Sequence, residues 1–333
     1  MNNDLIARLD DRLRDRRESF DRIPVVDLAP LLDGSDRMAV ARQIRWALSN
    51  AGFLHVRNHG IPEALIDDLF DVARRFFDLP MSDKMALHMG QSGVALRGYA
   101  GPFERAADPA RTHDLLESFD IGPERAALEG PFFGPNQWPL GFLRFRRLTL
   151  AYHDRMVTLA RQVLGGIALS LDLPEGFFGP MVQDPISILR LLHEPPRNAR
   201  AEGDVIDIGA QRDHGNLAIR AQDDVGGLQV MNRDGHWIEV PPIRGTLVIN
   251  IGDLMQRLTT DLYLANLHRV INIAGSERYA IPFFMDADFD AVIAPLPSCL
   301  SSANPQRHPP INCGAHSFAR RAARPAPVED PAT

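Results

Sequence analysis

Hydrophobic residues follow two different periods along this chain, one in each half. In the first half, apolar residues recur every three or four positions, which is the spacing of one face of an α-helix. The pattern predicts three helices, over residues 4–20, 62–77 and 139–171. Asp36 can cap a fourth helix that runs to Ala51, because a carboxylate at such a position accepts hydrogen bonds from the first backbone N–H groups.

From Ile186 onwards the period changes to that of short β-strands, with glycine and Asp-Gly turns between several of them. The predicted strands cover residues 186–193, 205–211, 216–221, 227–231, 236–240, 246–250, 268–273 and 279–285. Many short strands at regular spacing are typical of a sandwich or barrel and not of a parallel α/β sheet. Residues 89–122, in the first half, are rich in glycine and predict an irregular loop region of the kind that often forms a lid.

The composition of the 333 residues is that of an ordinary globular protein. Hydrophobic residues make up 45% and charged residues 24%, and a net charge of −7 with interspersed signs gives no electrostatic reason to expect nucleic-acid binding. The two cysteines, Cys299 and Cys313, are too few for a disulfide framework. The N-terminus lacks the apolar core of a signal peptide, and no apolar run is long enough to span a bilayer. We expect a cytoplasmic monomer or homodimer that does not bind membranes.

Candidate chemical groups are concentrated in the predicted strands of the second half. Side chains alternate along an extended strand, so Gln211 and Asp213 point to the same side. His268 lies in a later short strand, and Arg278 lies at the start of the next one. A carboxylate, an imidazole and a guanidinium on neighbouring strands would suit a metal site with an anion pocket beside it.

Segments spread over most of the chain resemble one family, the isopenicillin N synthase-like iron(II)/2-oxoglutarate-dependent dioxygenases. The matching segments are residues 52–62, 76–80, 97–99, 117–122, 134–139, 226–230, 234–238 and 250–253. The resemblance implies a mainly β fold with flanking α-helices, in which a double-stranded β-helix (jelly roll) follows an N-terminal helical and β region. The regions are an N-terminal helix (1–22), an N-terminal dioxygenase-like region (23–135), a long backing helix and connection (136–185), the jelly-roll catalytic core (186–295) and a C-terminal segment expected to be partly disordered (296–333).

The resemblance also implies roles for single residues. Gln211, Asp213 and His268 would hold iron(II), at the positions where the family has His-x-Asp and a distant second His. Arg278 would bind the far carboxylate of 2-oxoglutarate, with Ala280 where the family has a serine. Dioxygen and 2-oxoglutarate would then oxidise a C–H bond of a small-molecule substrate, for which we expect a carboxylate-bearing metabolite.

Four more side chains belong to the implied pocket. Arg97, Tyr99 and Phe119 are candidates to line the substrate pocket, because the family brings this part of the chain over the metal. Glu194 stands where the family has a tyrosine that helps to hold a carboxylate. As an acid it would repel a dianion, form an ion pair with Arg278 or become a metal ligand.

Three residues depart from the family pattern, and all three fall on the metal or co-substrate pocket: Gln211, Glu194 and Ala280. An amide oxygen is a weaker iron donor than an imidazole. The missing serine hydroxyl removes a hydrogen bond worth about 1 kcal/mol. We therefore expect weakened iron binding and doubtful use of 2-oxoglutarate.

Three hypotheses about function follow, and they differ in class. The first is an iron(II)-dependent oxygenase with a Gln/Asp/His site. The second is an enzyme of non-oxidative chemistry, such as a lyase or isomerase, with Glu194, Asp213 or His268 as general acid or base. The third is a catalytically inactive ligand-binding protein on the dioxygenase scaffold, with Gln211 as a hydrogen-bonded interior amide.

Overall fold

The computed structural model describes residues 18–102, 104, 116–124, 132–196, 208–272 and 275–322. Most of the predicted helix over residues 4–20, the start of the predicted strand over 205–211 and the end of the C-terminal segment lie outside these ranges. None of the helices within the described ranges combines the length and apolar character that crossing a bilayer requires.

Seven α-helices lie in the described part of the chain. They are α1 (Ala29–Leu32), α2 (Arg37–Asn50), α3 (Glu63–Phe77), α4 (Met81–Met85), α5 (Leu143–Ser170), α6 (Asp253–Leu258) and α7 (Cys313–Ala322). The Asp36 side chain accepts a hydrogen bond from the Ala39 backbone N–H at 2.9 Å, which confirms the predicted cap of α2. Helices α3 and α5 confirm the helices predicted over 62–77 and 139–171.

The strands form one large and one small sheet and a short two-stranded pair. They are β1 (Val25–Asp27), β2 (Phe53–Arg57), β3 (Gly98–Ala100), β4 (Glu117–Ile121), β5 (Pro185–Glu194), β6 (Ile208–Gln211), β7 (Leu217–Gln222), β8 (Leu228–Met231), β9 (Trp237–Glu239), β10 (Thr246–Ile251), β11 (His268–Val270), β12 (Arg278–Asp288), β13 (Val292–Ile293) and β14 (Ile311–Asn312). The large sheet has the order β1-β2-β10-β7-β12-β5-β4-β3, and the small sheet has the order β6-β11-β8-β9.

The two sheets face each other, as expected for a jelly roll. Phe53 and Val248 of the large sheet share one apolar cluster with Leu228, Val230 and Val270 of the small sheet. The opposite face of the large sheet packs against helices α2, α3 and α5 in the main core. Alternation along each strand therefore assigns one set of side chains to the helices and the other set to the space between the sheets.

The region over residues 89–122 differs from the irregular lid that its glycines predict. Strand β3 pairs antiparallel with β4, and β4 pairs antiparallel with β5, so both strands extend the large sheet at one edge. The glycine signal is misleading at Gly98, where a Cβ atom would lie 2.3 Å from the Leu87 carbonyl oxygen and the backbone has a φ of +108°. This glycine is required by a close backbone approach, and it does not interrupt the strand.

A tight turn connects β6 to β7 and carries Asp213. The backbone N–H of Asp253, at the start of α6, donates to the Asp213 carbonyl oxygen at 2.9 Å. The Asn216 backbone N–H donates to the Asp286 carboxylate on β12 at 3.1 Å. Gly252 lies directly under this turn. A Cβ atom at Gly252 would lie 2.4 Å from the Gly215 carbonyl oxygen and 2.7 Å from that of Asp213.

The substitution Gly252→Ala should therefore displace the turn that carries Asp213. Both obstructing atoms are backbone oxygens, which cannot swing aside as a side chain can, so we expect a loss of about 1–3 kcal/mol in the free energy of unfolding. Urea denaturation of the variant and the wild type measures this loss. Gly179→Ala is the matched control, because a Cβ atom at Gly179 meets nothing within 4 Å. Equal stability of the two variants would contradict the expectation.

Candidate active site

Asp213 and His268 come together between the two sheets. His268 begins β11 and is buried, with only 2% of its surface exposed. Its Nε2 atom lies 3.7 Å from Oδ1 of Asp213. The Phe53 ring of the large sheet contacts the imidazole edge-to-face, with ring centroids 5.3 Å apart, and so limits its orientation.

The surroundings of His268 set its tautomer. Its Nδ1 atom lies 3.2 Å from the backbone carbonyl oxygen of Asn266, and a carbonyl can only accept, so Nδ1 carries the proton. Burial lowers the pKa of His268, although the Asp213 charge acts in the opposite direction, so the ring is neutral. Its Nε2 is then an unprotonated acceptor, buried and without a hydrogen-bond partner among the described residues.

Asp213 is ionised opposite this nitrogen. Burial alone would raise the pKa of Asp213, but its partners, among them the Arg220 guanidinium and a hydrogen bond from Asn250, act in the opposite direction and the pKa is lowered. The Oδ1 atom of Asp213 and the Nε2 atom of His268 thus face each other at 3.7 Å, a separation too long for a direct hydrogen bond. A cation between them would satisfy both, so these two residues fit a divalent metal ion.

Gln211 lies next to this pair but differs from them in exposure. It is the register partner of His268 on the neighbouring strand β6, which puts the two side chains on the same face. The Gln211 side chain is exposed, so the hypothesis of a hydrogen-bonded interior amide is wrong. Within the described residues, no third His, Cys, Asp or Glu joins Asp213 and His268 in a metal-binding group. Metal ligation by Gln211 stays a prediction.

Two residues of the large sheet hold Asp213 from the other side. Asn250 on β10 donates from Nδ2 to Oδ2 of Asp213 at 2.7 Å. Arg220 on β7 places one terminal nitrogen 3.5 Å from the same oxygen and 3.2 Å from Oδ1 of Asn250. The carboxylate is therefore oriented by an amide and a guanidinium, which leave Oδ1 directed towards His268.

Arg278 and Glu194 form a buried ion pair where β12 lies beside β5. The two residues are register partners, and Nη1 of Arg278 lies 2.5 Å from Oε1 of Glu194. Nε of Arg278 donates to the Gly226 carbonyl oxygen, also at 2.5 Å. Both side chains are almost fully buried. Of the roles open to Glu194, the structure shows the ion pair with Arg278, so the guanidinium expected to bind 2-oxoglutarate already has a carboxylate partner.

Ala280 lies two residues beyond Arg278 on the same face of β12, opposite Gln222 of β7. Its methyl group offers no hydrogen bond to an anion, as the sequence predicts. On the next strand, Arg190 is held by both oxygens of Asp120, at 2.7 and 2.9 Å. The space between the sheets is thus lined by the ion pairs of Arg278 with Glu194 and of Arg190 with Asp120, and by the small side chain of Ala280.

The three residues expected to line a substrate pocket are fully buried in the structure. Tyr99 and Phe119 belong to the main hydrophobic core, and the Tyr99 hydroxyl donates to Glu117 at 2.5 Å. Arg97 donates to the Phe132 carbonyl oxygen at 2.6 Å, and Gly122 leaves the room that its guanidinium occupies. These contacts are those of core residues, and a pocket role for the three stays a prediction.

Sequence reasoning missed Arg220 and Asn250. A signal for Arg220 was present, because Leu217, Ile219 and Ala221 on either side of it are apolar and pack in the helix-facing core. A charged residue in such a strand must point to the opposite side, which here is the space between the sheets. Asn250 lay within a recognised segment, but its hydrogen bond to Asp213 depends on the antiparallel pairing of β10 with β7.

Comparison with known proteins agrees with this architecture. Residues 23–141 match the family described as the non-haem dioxygenase in morphine synthesis N-terminal domain. Residues 185–287 match the 2OG-Fe(II) oxygenase superfamily. Among solved structures, a full-length Neurospora crassa protein in complex with alpha-KG and thymine superposes with a TM-score of 0.82 at 27% identity, covering 90% of this chain and 96% of that one. A 2OG-Fe(II) oxygenase family protein from Caulobacter crescentus gives a TM-score of 0.81 at 32% identity, covering 91% and 99%.

Curated relatives point to the same chemistry. The 2-oxoglutarate-Fe(II) type oxidoreductase hxnY of Emericella nidulans is 35% identical over 303 residues, which is 86% of each chain. Homoarginine-6-hydroxylase 2-ODD-C23 of Glycine max is 35% identical over 305 residues, covering 86% of this chain and 91% of the relative. The chain therefore belongs to the 2OG-Fe(II) oxygenase superfamily and is an iron(II)-dependent oxidoreductase of the dioxygenase type, with iron(II) and 2-oxoglutarate as its cofactors.

Proposed function

We propose that the protein is a non-haem iron(II) oxygenase in which Asp213 and His268 hold the metal, with Gln211 at the atypical third position, and that it oxidises a small carboxylate-bearing metabolite. The observation that carries the proposal is the pair formed by Nε2 of His268 and Oδ1 of Asp213, which lie 3.7 Å apart, with Nε2 buried and without a hydrogen-bond partner among the described residues. Such an arrangement is electrostatically unfavourable without a cation.

The residues around the pair have defined tasks in this proposal. The Asn266 carbonyl keeps the His268 proton on Nδ1, so that Nε2 is available as a donor to the metal. Asn250 fixes the Asp213 carboxylate through Oδ2. When bound, iron(II) and 2-oxoglutarate supply the oxidising chemistry with dioxygen. The chain's own contribution is to hold the ligands at a fixed separation and to keep the site enclosed between the sheets.

The incomplete pairing of one guanidinium supports an anionic substrate. Arg220 and Arg278 both lie on inward-facing positions of the large sheet, and Arg220 is less completely satisfied than Arg278. The names of two similar proteins also mention small molecules: one is a homoarginine hydroxylase, and the other is a structure in complex with thymine. For this chain we propose a small metabolite whose carboxylate is recognised by a guanidinium.

The proposal favours oxidation over the two other hypotheses. The relatives are named as oxidoreductases and hydroxylases, which supports oxygenase chemistry over elimination or isomerisation. The exposure of Gln211 removes the interior-amide argument for an inactive protein. A cytoplasmic location and a monomeric or homodimeric state belong to the proposal, and the two cysteines are free and buried, in keeping with a reducing compartment.

Anaerobic titration with iron(II) tests the metal site directly. We expect the purified protein to bind iron(II) at micromolar concentration and to develop a charge-transfer absorption band when 2-oxoglutarate is added. Admission of air should then produce succinate. The absence of iron(II) binding at micromolar concentration would contradict the proposal. Asp213→Ala is the reference variant, for which we expect no band because a carboxylate ligand has been removed.

Gln211→His should strengthen metal binding. Gln211 lies beside His268 in the strand pairing, so an imidazole at this position can approach the same ion. We expect iron(II) affinity to rise about 10–100-fold, the range seen when one group that supports a metal site is changed. Gln229→His is the matched control, because Gln229 is paired with Arg269 on the outer side of the same sheet. A gain in the control equal to that in Gln211→His would contradict the role of Gln211.

Glu194→Gln should strengthen the binding of 2-oxoglutarate. The substitution removes a negative charge that lies 2.5 Å from Nη1 of Arg278 and that repels a dianion in the same pocket. We expect the dissociation constant, measured by calorimetry with the Mn(II)-loaded protein, to fall by about three- to tenfold. Glu239→Gln on the exposed edge strand β9 removes the same charge far from the pocket and should have no effect. An unchanged constant in Glu194→Gln would show that the co-substrate does not sense this carboxylate.

A further inference from the structure

Arg220 is a buried cation between the sheets whose purpose the metal site alone does not explain. It lies in β7, opposite Val248 of β10 and Pro282 of β12. Its strand neighbours pack towards the helices, so its side chain points towards Asp213. Only 8% of its surface is exposed. A guanidinium in such a place needs anionic or hydrogen-bonding partners to offset the loss of water.

The partners that Arg220 has are incomplete. One terminal nitrogen lies 3.2 Å from Oδ1 of Asn250 and 3.5 Å from Oδ2 of Asp213. The second distance is long for a charge-assisted hydrogen bond, and Oδ2 already accepts from Asn250 at 2.7 Å. Nε of Arg220 has no hydrogen-bond partner within the described residues. The planar fork of this guanidinium is therefore only partly used.

The two neighbouring guanidiniums differ from Arg220 in this respect. Arg190 is held by both carboxylate oxygens of Asp120. Arg278 is held by Glu194 and by a backbone carbonyl oxygen. A ligand carboxylate at either of them would compete with a carboxylate that already contacts the guanidinium. Arg220 can bind one with less competition, because its own carboxylate neighbour is the residue proposed to hold the metal.

Small side chains leave room beside Arg220. Ala218 precedes it by two positions on the same face of β7, and Ala280 lies on the same face of β12 beside Gln222. An alanine at each of these positions places only a methyl group in the space between the sheets.

We propose that Arg220 is the carboxylate-binding residue of this pocket and takes the place of Arg278, which the ion pair with Glu194 keeps occupied. The ligand is a carboxylate that belongs either to 2-oxoglutarate or to the substrate. The inference rests on the proposed metal role of Asp213. It explains how a member of this family can bind an oxo acid although its usual arginine is already paired.

Arg220→Met tests the proposal, since methionine keeps an unbranched side chain of similar reach and removes the charge. If the ligand is 2-oxoglutarate, we expect its dissociation constant, measured by calorimetry in the Mn(II)-loaded protein, to rise about tenfold or more, and if the ligand is the substrate, we expect that rise for propionate in the protein loaded with Mn(II) and 2-oxoglutarate. Mn(II) affinity, measured by electron paramagnetic resonance, should stay equal or increase, because a cation 3.5 Å from Asp213 has been removed. A loss of both affinities together with a lower melting temperature would indicate a structural role and overturn the proposal.

Two variants serve as controls. Arg220→Lys keeps the charge without the fork and should give an intermediate affinity for 2-oxoglutarate. Arg269→Met removes the same charge from the outer side of the small sheet, where Arg269 stacks on Trp237 with 4.1 Å between the guanidinium and the ring centroid. It should leave the affinity for 2-oxoglutarate unchanged. An equal loss in Arg269→Met would show a general charge effect and contradict a specific contact.

A second oxo acid distinguishes the two sources of the carboxylate. 2-Oxobutyrate has the same keto-acid end as 2-oxoglutarate but lacks the far carboxylate. If Arg220 binds that carboxylate, Arg220→Met weakens 2-oxoglutarate and leaves 2-oxobutyrate unchanged. If Arg220 binds a substrate carboxylate, both oxo acids are unaffected and the binding of propionate to the protein loaded with Mn(II) and 2-oxoglutarate is lost. Unchanged binding of all three probes overturns the proposal.

The metal-free protein separates a failure of this inference from a failure of the proposed function. Asp213→Asn removes the carboxylate that competes for Arg220, so succinate should bind the metal-free variant several-fold more tightly than the metal-free wild type. Adding Arg220→Met should abolish that gain. If this pattern holds in a protein that binds no metal, the metal role fails and the carboxylate site stands. If metal binds and succinate responds to neither substitution, the carboxylate site fails and the metal role stands.

Discussion

Three guanidinium groups share the space between the two sheets, and water is largely excluded from it. Each therefore needs a negatively charged neighbour, because an unpaired buried cation costs several kcal/mol. The neighbours are Asp120 for Arg190, Glu194 for Arg278 and Asp213 for Arg220. The arrangement of the site follows from how completely each pair is formed. Two pairs are close, and the third is long and shares its carboxylate with the proposed metal site.

The third pair, Asp213 with Arg220, links the small sheet to the large sheet through side-chain contacts. Asp213 lies in the turn that follows the small sheet's edge strand β6, His268 lies on the strand beside β6, and Arg220 and Asn250 belong to the large sheet. The position of the Asp213 carboxylate therefore depends on the separation of the sheets as well as on the local turn. The hydrogen bond from the Asp253 backbone N–H to the Asp213 carbonyl oxygen holds that turn against helix α6 and so fixes where the Asp213 carboxylate lies.

Family membership and the changed pocket are compatible on this view. The relatives are 2-oxoglutarate-Fe(II) oxidoreductases, and the fold superposes on structures that bind alpha-KG. The ion pair between Glu194 and Arg278 removes the expected anchor for the far carboxylate, and Arg220 lies on the same inner surface with part of its guanidinium unused. A transfer of the anchoring role from one strand to its neighbour conserves the charge of the pocket and needs no change of fold.

Many of the helices and strands of this protein could be predicted from the sequence alone. The helical period gave the helices that end at Phe77 and Ser170, and the alternation after Ile186 gave the strands, because burial of one face imposes a period that a linear sequence displays. The family resemblance implied Asp213 and His268 as metal ligands, which stays a prediction, and the structure brings the two side chains within 3.7 Å of each other. The strands at residues 98–100 and 117–121 were missed, because glycines required by a close backbone approach look the same in sequence as glycines of a loop.

Other features were decided by the tertiary structure alone. The sequence shows that Glu194 is an acid and Arg278 a base, but their ion pair requires the register of two strands that are far apart in the chain. In the same way, the exposure of Gln211 beside a buried His268 depends on where the edge of the small sheet ends. Sequence determines which groups are present and which face of a strand carries them. Pairing between distant strands determines which of them meet, because hydrogen bonds and ion pairs act over a few ångströms of space and not along the chain.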